Sequence, residues 1–414
     1  MLLRFRAKNH LSLRDAEEIS LVASTAIDDD PDGLIACPAI HGHVLPVSVI
    51  YGANASGKSN FIQALRFMCS AVLFSHSKWD PGGIVPRHTF ALDPELRSTP
   101  SQFEIDFVVE GVRHHYGFIA TDDTFTAEWL FAFPKGRRQI LFDRNEQKFD
   151  FGRNLKGKNK SIEEVTRPNS LFISAAAQNN HQTILPIISF FRSIYGVTTV
   201  SASPAHVSNA LQNAEMDQRV IHFLSQMDTG VTCHTKIDID IPDEMRNFEN
   251  EVTLAAKKAG VDIQIGKHKH IIKLGHNTRD GSTAFFNLDQ ESEGTRRLLI
   301  LMTSVFNSLD NGSPLVIDEL NASLHTLACE SILGLFNSSS TNPRGAQLIA
   351  TTHDTNLLRS AHLRRDQVWF AEKDHDGATH IYPLTDMRTR KGDNLEKGYL
   401  QGRFGAVPFS GPMP

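Results

Sequence analysis

Gly52-Ala53-Asn54-Ala55-Ser56-Gly57-Lys58-Ser59 satisfies the pattern GxxxxGK[ST], and its flanks supply the context that pattern needs. The apolar run Pro46-Val47-Ser48-Val49-Ile50-Tyr51 leads in as a buried strand, and Phe61, Leu65 and Met68 follow at helical spacing. A glycine-rich loop between strand and helix turns backbone N–H groups and the positive helix end toward phosphate oxygens, and small residues let those oxygens approach. The expected contributors are Gly52, Asn54 and Gly57 from the loop, Lys58 toward the β- and γ-phosphates, and the Ser59 hydroxyl toward Mg²⁺. The octet therefore predicts a nucleoside triphosphate site.

GTPases, kinases and mechanical ATPases share such an octet, so remoter segments decide the class. Leu315-Val316-Ile317-Asp318-Glu319 is an apolar strand ending in two carboxylates. Asp318 suits the Mg²⁺ shell, and Glu319 suits polarisation of an attacking water. Upstream, Glu291-Ser292-Glu293-Gly294-Thr295-Arg296-Arg297 precedes the apolar helical run of residues 298–302. Ser292 offers a hydroxyl, Gly294 permits close approach, and the exposed helix N-terminus favours an anion. Downstream, Gln347-Leu348-Ile349-Ala350-Thr351-Thr352-His353 is a second apolar strand, ending in a histidine that can meet a γ-phosphate or the attacking water. Asn321-Ala322-Ser323-Leu324-His325 forms a polar turn between the two strands. Taken singly, each piece also reads as an N-cap serine, a strand-end histidine or a loop. Their order carries the inference.

In that order the motifs resemble those of the ABC-type ATPases, and within them the branch containing the SMC, Rad50, RecF and OLD-type ATPases, not the membrane transporter subunits. Asn9-His10-Leu11-Ser12-Leu13 resembles the early Asn-Phe-x-Ser-Phe segment of that branch, with His10 and Leu13 in place of its aromatics. The tail Tyr399-Leu400-Gln401-Gly402-Arg403-Phe404-Gly405-Ala406-Val407-Pro408 resembles the close of bacterial RloA/AbiL-type phage-defence ATPases. The resemblance implies ATP and Mg²⁺ as ligands, Glu319 and His353 as catalytic groups, and Ser59 with Asp318 on the metal side. In Rad50-like ATPases a glutamine after a strand contacts Mg²⁺. Here residues 170–174 read as a strand leading into Ala175-Ala176-Ala177-Gln178, which makes Gln178 the candidate beside the plainer reading of a solvent-facing glutamine. The signature of one subunit would face the nucleotide held by the other, so ATP would join a homodimer or a higher assembly.

The fold expected is α/β: an ABC-type P-loop ATPase head with a mixed sheet, an antiparallel β subdomain and an inserted helical lobe. Residues 1–180 are expected to form the N-terminal half of the head, including a hairpin of residues 103–109 and 114–119 around Glu110-Gly111. The stretch 152–160 reads as a loop. Residues 181–265 read as a mainly helical insert, with an amphipathic helix at 245–252 and no sustained heptad of SMC-arm length. Residues 266–414 return as the C-terminal half of the head, after a strand at 261–265 and a His/Lys-rich hairpin.

Composition fits this class. A chain of 414 residues with 40% hydrophobic content can bury a sizeable core, and a net charge of -5 argues against a uniformly basic nucleic-acid binder while leaving a local patch open. No apolar run approaches the roughly 18 residues of a membrane span, and Arg4, Arg6 and Lys8 precede no signal-peptide core, so a cytoplasmic protein without a membrane partner is expected. Cys37, Cys69, Cys233 and Cys329 are scattered and read as reduced thiols. The pairs His114-His115 and His268/His270 read as surface residues without acidic or cysteine partners, and Asp374-His375-Asp376-Gly377 as a hairpin turn. The stretch after His353 is too short for the nuclease domain of OLD-type relatives, so the expected effector is a separate polypeptide. The leading expectation is an ATP-binding and ATP-hydrolysing dimeric switch or scaffold of a bacterial anti-phage defence system, controlling a nuclease-like effector, with DNA or a phage component as a further candidate ligand. The alternative is a RecF/SMC-like DNA-repair or DNA-maintenance clamp acting directly on DNA. A scaffold that binds ATP without turnover is disfavoured by the intact Asp318-Glu319 pair.

Overall fold

The computed structural model describes residues 1–27, 32–195, 216–239, 251–254 and 269–407. The chain divides into two compact units, Met1–Thr199 with Asn307–Pro414, and Val200–Phe306. Four short strands open the larger unit: β1 (Leu2–Lys8), β2 (Glu17–Ser20), β3 (Ile35–Cys37) and β4 (Gly42–Val44). The apolar run then forms β5 (Val47–Tyr51), buried at every residue, and the octet leads into helix α1 (Lys58–Phe74). Phe61, Leu65 and Met68 are buried on α1, as their spacing requires.

Five strands follow: β6 (Ser101–Val109), β7 (Val112–Ala120), β8 (Phe125–Ala132), β9 (Gln139–Asn145) and β10 (Lys148–Phe151). With β1 and β2 they make a seven-stranded antiparallel sheet in the order β10-β9-β8-β7-β6-β1-β2. The expected β6–β7 hairpin turns at Glu110 (φ 51°) and Gly111 (φ 73°), two consecutive left-handed residues whose twist suits a tight hairpin. His114 and His115 on β7 are not partnerless. His114 is buried against Phe107 with Nδ1 2.9 Å from the Val112 carbonyl, and His115 lies 3.2 Å from Asp106, which also accepts from Arg4 and Arg113.

Helices α2 (Asn159–Val165), α3 (Phe172–Gln178) and α4 (Leu185–Tyr195) come next. The strand expected at 170–174 is instead the approach to α3 and its first turn. The cause is a carboxylate on β8: Glu128, fully buried, accepts from the N–H groups of Phe172 (2.6 Å) and Ile173 (3.0 Å) and from the Tyr116 hydroxyl (3.1 Å). Those two donors have no partner within the helix, and a negative group there also meets the positive helix end. Arg144, equally buried, stands 3.7 Å from Glu128 and donates to the carbonyls of Ser170 and Pro168. Glu128→Ala leaves Arg144 buried without its counter-charge and orphans the helix start. A loss of about 3–5 kcal/mol in unfolding free energy is expected. Chemical denaturation checks it, and a loss below about 1 kcal/mol would show that the cap does not hold α3.

Helix α4 stays with the larger unit, because Phe190 stacks on Phe107 of β6 at 4.6 Å and Ile187, Ile188 and Phe191 are buried in the same core. The smaller unit contains α5 (Gln218–Gln226) and an antiparallel sheet of β11 (Val231–Ile239), β12 (Lys269–Asn277) and β13 (Thr283–Asn287). β11 is thus a strand inside the stretch read as mainly helical, and its alternation of Val231, Cys233, Thr235 and Ile237 has the strand period. The strand expected at 261–265, and all but the end of the helix expected at 245–252, lie outside the described residues.

The chain then runs through α6 (Glu293–Asn311), β14 (Pro314–Ile317), α7 (Thr326–Asn337), β15 (Gln347–Thr352), β16 (Val368–Lys373), β17 (Thr379–Pro383) and α8 (Leu395–Leu400). A five-stranded mixed sheet has the order β14-β15-β5-β16-β17, parallel except for β17. The β16–β17 hairpin turns through residues 374–377, where Gly377 has φ 79°. The fold class is therefore α/β, with a mixed sheet and a separate antiparallel sheet. Parallel strands gather the residues after β5, β14 and β15 on one edge, which is where a ligand site forms in such sheets. Among the described residues, no helix is long and apolar enough to cross a membrane.

Candidate functional site

At the C-terminal end of β5 the octet folds over the start of α1. Gly57 has φ 101°, and a Cβ there would collide with the Thr379 hydroxyl of β17. That hydroxyl donates to the Ser56 carbonyl at 2.9 Å and lies 2.7 Å from the Ser12 hydroxyl, which accepts from the Asn60 amide at 2.7 Å. The loop therefore rests on a buried polar brace built from three distant parts of the chain. Ser12 belongs to the segment Asn9-His10-Leu11-Ser12-Leu13. In the same segment His10 is packed between Phe67 and Phe103 with ring centroids 5.3 and 5.2 Å away, where burial pushes its pKa down to about 3. His10 thus fills an aromatic position as a neutral ring.

Lys58 is buried in the curl of the loop, and its Nζ donates to the carbonyls of Gly52 (2.8 Å) and Ala53 (2.9 Å). Burial lowers its pKa from the ordinary lysine value, and the nearby carboxylates of Glu319 and Asp318 oppose that shift. The Ser59 hydroxyl donates to Asp318 Oδ1 at 3.1 Å. Thr351, at the end of β15, donates to the same oxygen at 2.6 Å and accepts the Glu319 N–H at 2.8 Å. Glu319 sits at φ 57°, a backbone conformation uncommon outside glycine, which turns the chain sharply between the two carboxylates. Its Oε2 lies 3.0 Å from His353 Nδ1. Asn321 completes the cluster: its Oδ1 accepts from the Thr352 hydroxyl (2.7 Å) and the His353 N–H (3.3 Å), and its Nδ2 is 3.0 Å from His353 Nε2.

Lys58, Ser59, Asp318, Glu319 and His353 are thus brought together on one edge of the mixed sheet. The hydroxyl of Ser59 and the carboxylate of Asp318 present hard oxygen donors side by side, the set Mg²⁺ takes when phosphates and waters complete its shell. Gln178 is not part of this constellation as described. It ends α3 with an exposed side chain, and no hydrogen bond among the described residues joins it to Ser59 or Asp318.

Ser292 and Gly294 lie in the smaller unit. The Ser292 hydroxyl accepts the Thr295 N–H at 3.0 Å and so caps α6, while the residue itself is exposed. Arg296 donates to the carbonyls of Leu288 (3.1 Å) and Glu291 (2.5 Å), and His276 pairs with Glu291 at 2.8 Å, fixing the approach to the helix.

Thr351, Asn321, Asn60 and Thr379 escaped assignment from sequence. The Thr351-Thr352 pair just before His353 was the one local signal; the partners of the others lie tens to hundreds of residues away.

Strand, glycine loop, helix and paired carboxylates just after β14, a parallel strand separated from β5 by β15, define a P-loop nucleotide-binding domain. The chain belongs to the family described as "AAA domain, putative AbiEii toxin, Type IV TA system", whose pattern matches residues 47–359. No curated protein matches the chain. Among solved structures it is similar to an SmcHead bound to the C-winged helix domain of ScpA, with 12% identity over 92% of this chain and 96% of that chain and a TM-score of 0.42. It is also similar to an Smc head domain with an extended coiled coil, bound to the C-terminal domain of ScpA, from Pyrococcus furiosus (11% identity, 97% and 99% covered, TM-score 0.39). A third similar structure is cbiO1 from Clostridium perfringens, part of the ABC transporter complex cbiONQ (14%, 48% and 61%, TM-score 0.22).

Proposed function

We propose that this chain is an ATP-hydrolysing dimeric switch of a bacterial defence system, which holds or releases a separate, nuclease-like effector. The observation that carries the reading is the meeting of Ser59 with Asp318, 259 residues apart, and of Glu319 with His353, 34 residues apart, in one cluster. The family's description, which names a toxin and a toxin–antitoxin system, supports a defensive role.

Lys58 leaves the carbonyls of Gly52 and Ala53 to meet the β- and γ-phosphates. Ser59 and Asp318 would hold Mg²⁺, which when bound would supply positive charge to the phosphate oxygens. Glu319 orients the attacking water and accepts its proton, and His353, 3.0 Å from that carboxylate, fixes its direction and faces the terminal phosphate. Thr351 and Asn321 hold both groups in place. Ser292 and the N-terminus of α6 serve the nucleotide of a second subunit, so that ATP joins the heads and hydrolysis frees them.

The shared site is tested by Ser292→Arg, which adds a cation and bulk while leaving the octet intact. The variant is expected to bind ATP and hydrolyse it poorly. Mixed with Lys58→Ala, it forms a heterodimer with one doubly damaged site and one intact site, so turnover should partly return. Full activity of Ser292→Arg alone overturns the composite site. ATP-dependent retention of a neighbouring gene's product by the purified protein supports the effector reading, whereas salt-dependent DNA binding by the protein alone would replace it with a DNA clamp.

A further inference from the structure

The carboxylates, Thr351 and His353 lie at the ends of β14 and β15, on one flank of β5. The other flank belongs to β16, where Trp369 stands opposite Ile50 and Phe370 opposite Tyr51. A triphosphate seated in the octet with its terminal phosphate toward Glu319 therefore carries its nucleoside toward β16. On that flank a cavity of about 830 Å³ opens, bordered by Asn54 and Ala55 of the octet, Lys373 at the end of β16, and Leu400, Gln401 and Val407. The volume falls in the usual range for small-molecule sites.

The wall formed by residues 400–407 is built onto the octet. The Ala53 N–H donates to the Ala406 carbonyl at 3.2 Å, and the Ala406 N–H donates to Glu372 at 2.8 Å. Tyr399 donates to the Ala406 carbonyl at 2.8 Å, Tyr382 to the Phe404 carbonyl at 2.9 Å, and the Phe404 ring stacks on Phe370 at 5.8 Å. Gly405, at φ 71°, comes so near Tyr382 and Glu372 that a Cβ would stand within 2.7 Å of both. So tight an anchorage contrasts with Leu400, a large apolar side chain left 60% exposed. An open leucine beside an amide, in a recess that begins at a phosphate loop, has the chemistry of a base pocket: an apolar face and a polar edge.

We propose that this recess receives the nucleoside end of ATP, with Leu400 and Val407 against the face of the base and Gln401 at its edge; the proposal rests on the octet being the phosphate site. The ligands that separate the two ideas are ATP and inorganic tripolyphosphate, each with Mg²⁺, titrated against the full chain. Leu400→Asn keeps the side-chain length and removes the apolar contact. ATP affinity should fall about fivefold while tripolyphosphate affinity stays unchanged. An equal loss for both ligands, or no loss for ATP, overturns the recess. Lys58→Ala should weaken both ligands together; if it weakens neither, the phosphate-site reading fails on its own account. Backbone hydrogen exchange gives a second readout, because residues 401–407 should exchange more slowly with ATP than with tripolyphosphate. Identical exchange with the two ligands refutes the proposal. A selective loss of ATP in His88→Ala, with Leu400→Asn unaffected, would place the base instead in the neighbouring cavity of Leu11, Asn60 and His88 and equally refute it.

Discussion

Lys58→Ala is expected to weaken ATP binding about a hundredfold and to abolish any assembly that ATP holds together. The ammonium is the cation within the loop, and charge-assisted contacts to phosphate count for more than neutral ones. The variant also loses the bonds from Lys58 Nζ to the Gly52 and Ala53 carbonyls, which close the loop on itself. Loop disorder could mimic a loss of affinity, so titration calorimetry should be paired with thermal unfolding in the absence of nucleotide. A melting temperature near the parental value with lost affinity isolates the phosphate contact. Retained tight ATP binding would mean that the octet is not the nucleotide site.

Glu319→Gln should lower turnover by a factor of about 10²–10³ while leaving ATP bound, since an amide keeps the size and one acceptor of the carboxylate but cannot take a proton from water. The amide oxygen can still accept from His353, so the geometry of the pair survives while its basicity is lost. Phosphate release under single-turnover conditions, with bound nucleotide measured alongside, checks both halves of the statement. Hydrolysis at the parental rate would remove Glu319 from the chemistry. The same variant, locked with ATP in place, should hold any dimer closed, which gives the shared site a second readout by light scattering.

What the sequence disclosed follows the reach of local physics. The octet was legible because an apolar run, a glycine loop and a helical repeat are contiguous, so each supports the others. Asp318, Glu319 and His353 were legible because each ends a short apolar strand. Helix α3 was misread because Leu171-Phe172-Ile173 has strand-like side chains, and the carboxylate that decides the matter, Glu128, lies 44 residues upstream of Phe172. The brace beneath the octet was hidden for the same reason, since Ser12 and Thr379 are 367 residues apart. The attachment of the tail to Ala53 is a backbone bond that no side-chain pattern announces. Periodicity reports which face of an element is buried; it does not report which distant polar group meets it there.

The position of β5 between β15 and β16 has a bearing on how the protein is made. Residues 47–51 leave the ribosome well before the strands on either side of them, residues 347–352 and 368–373, and before residue 379, whose hydroxyl supports the loop. The octet is synthesised long before it has anything to stand on. A nascent chain is therefore expected to ignore ATP until residue 379 has emerged, and to acquire the site in one closure of widely separated segments, the slow kind of step that non-local strand pairing imposes. For a protein proposed to control a harmful partner, that delay means an unfinished copy cannot be switched on.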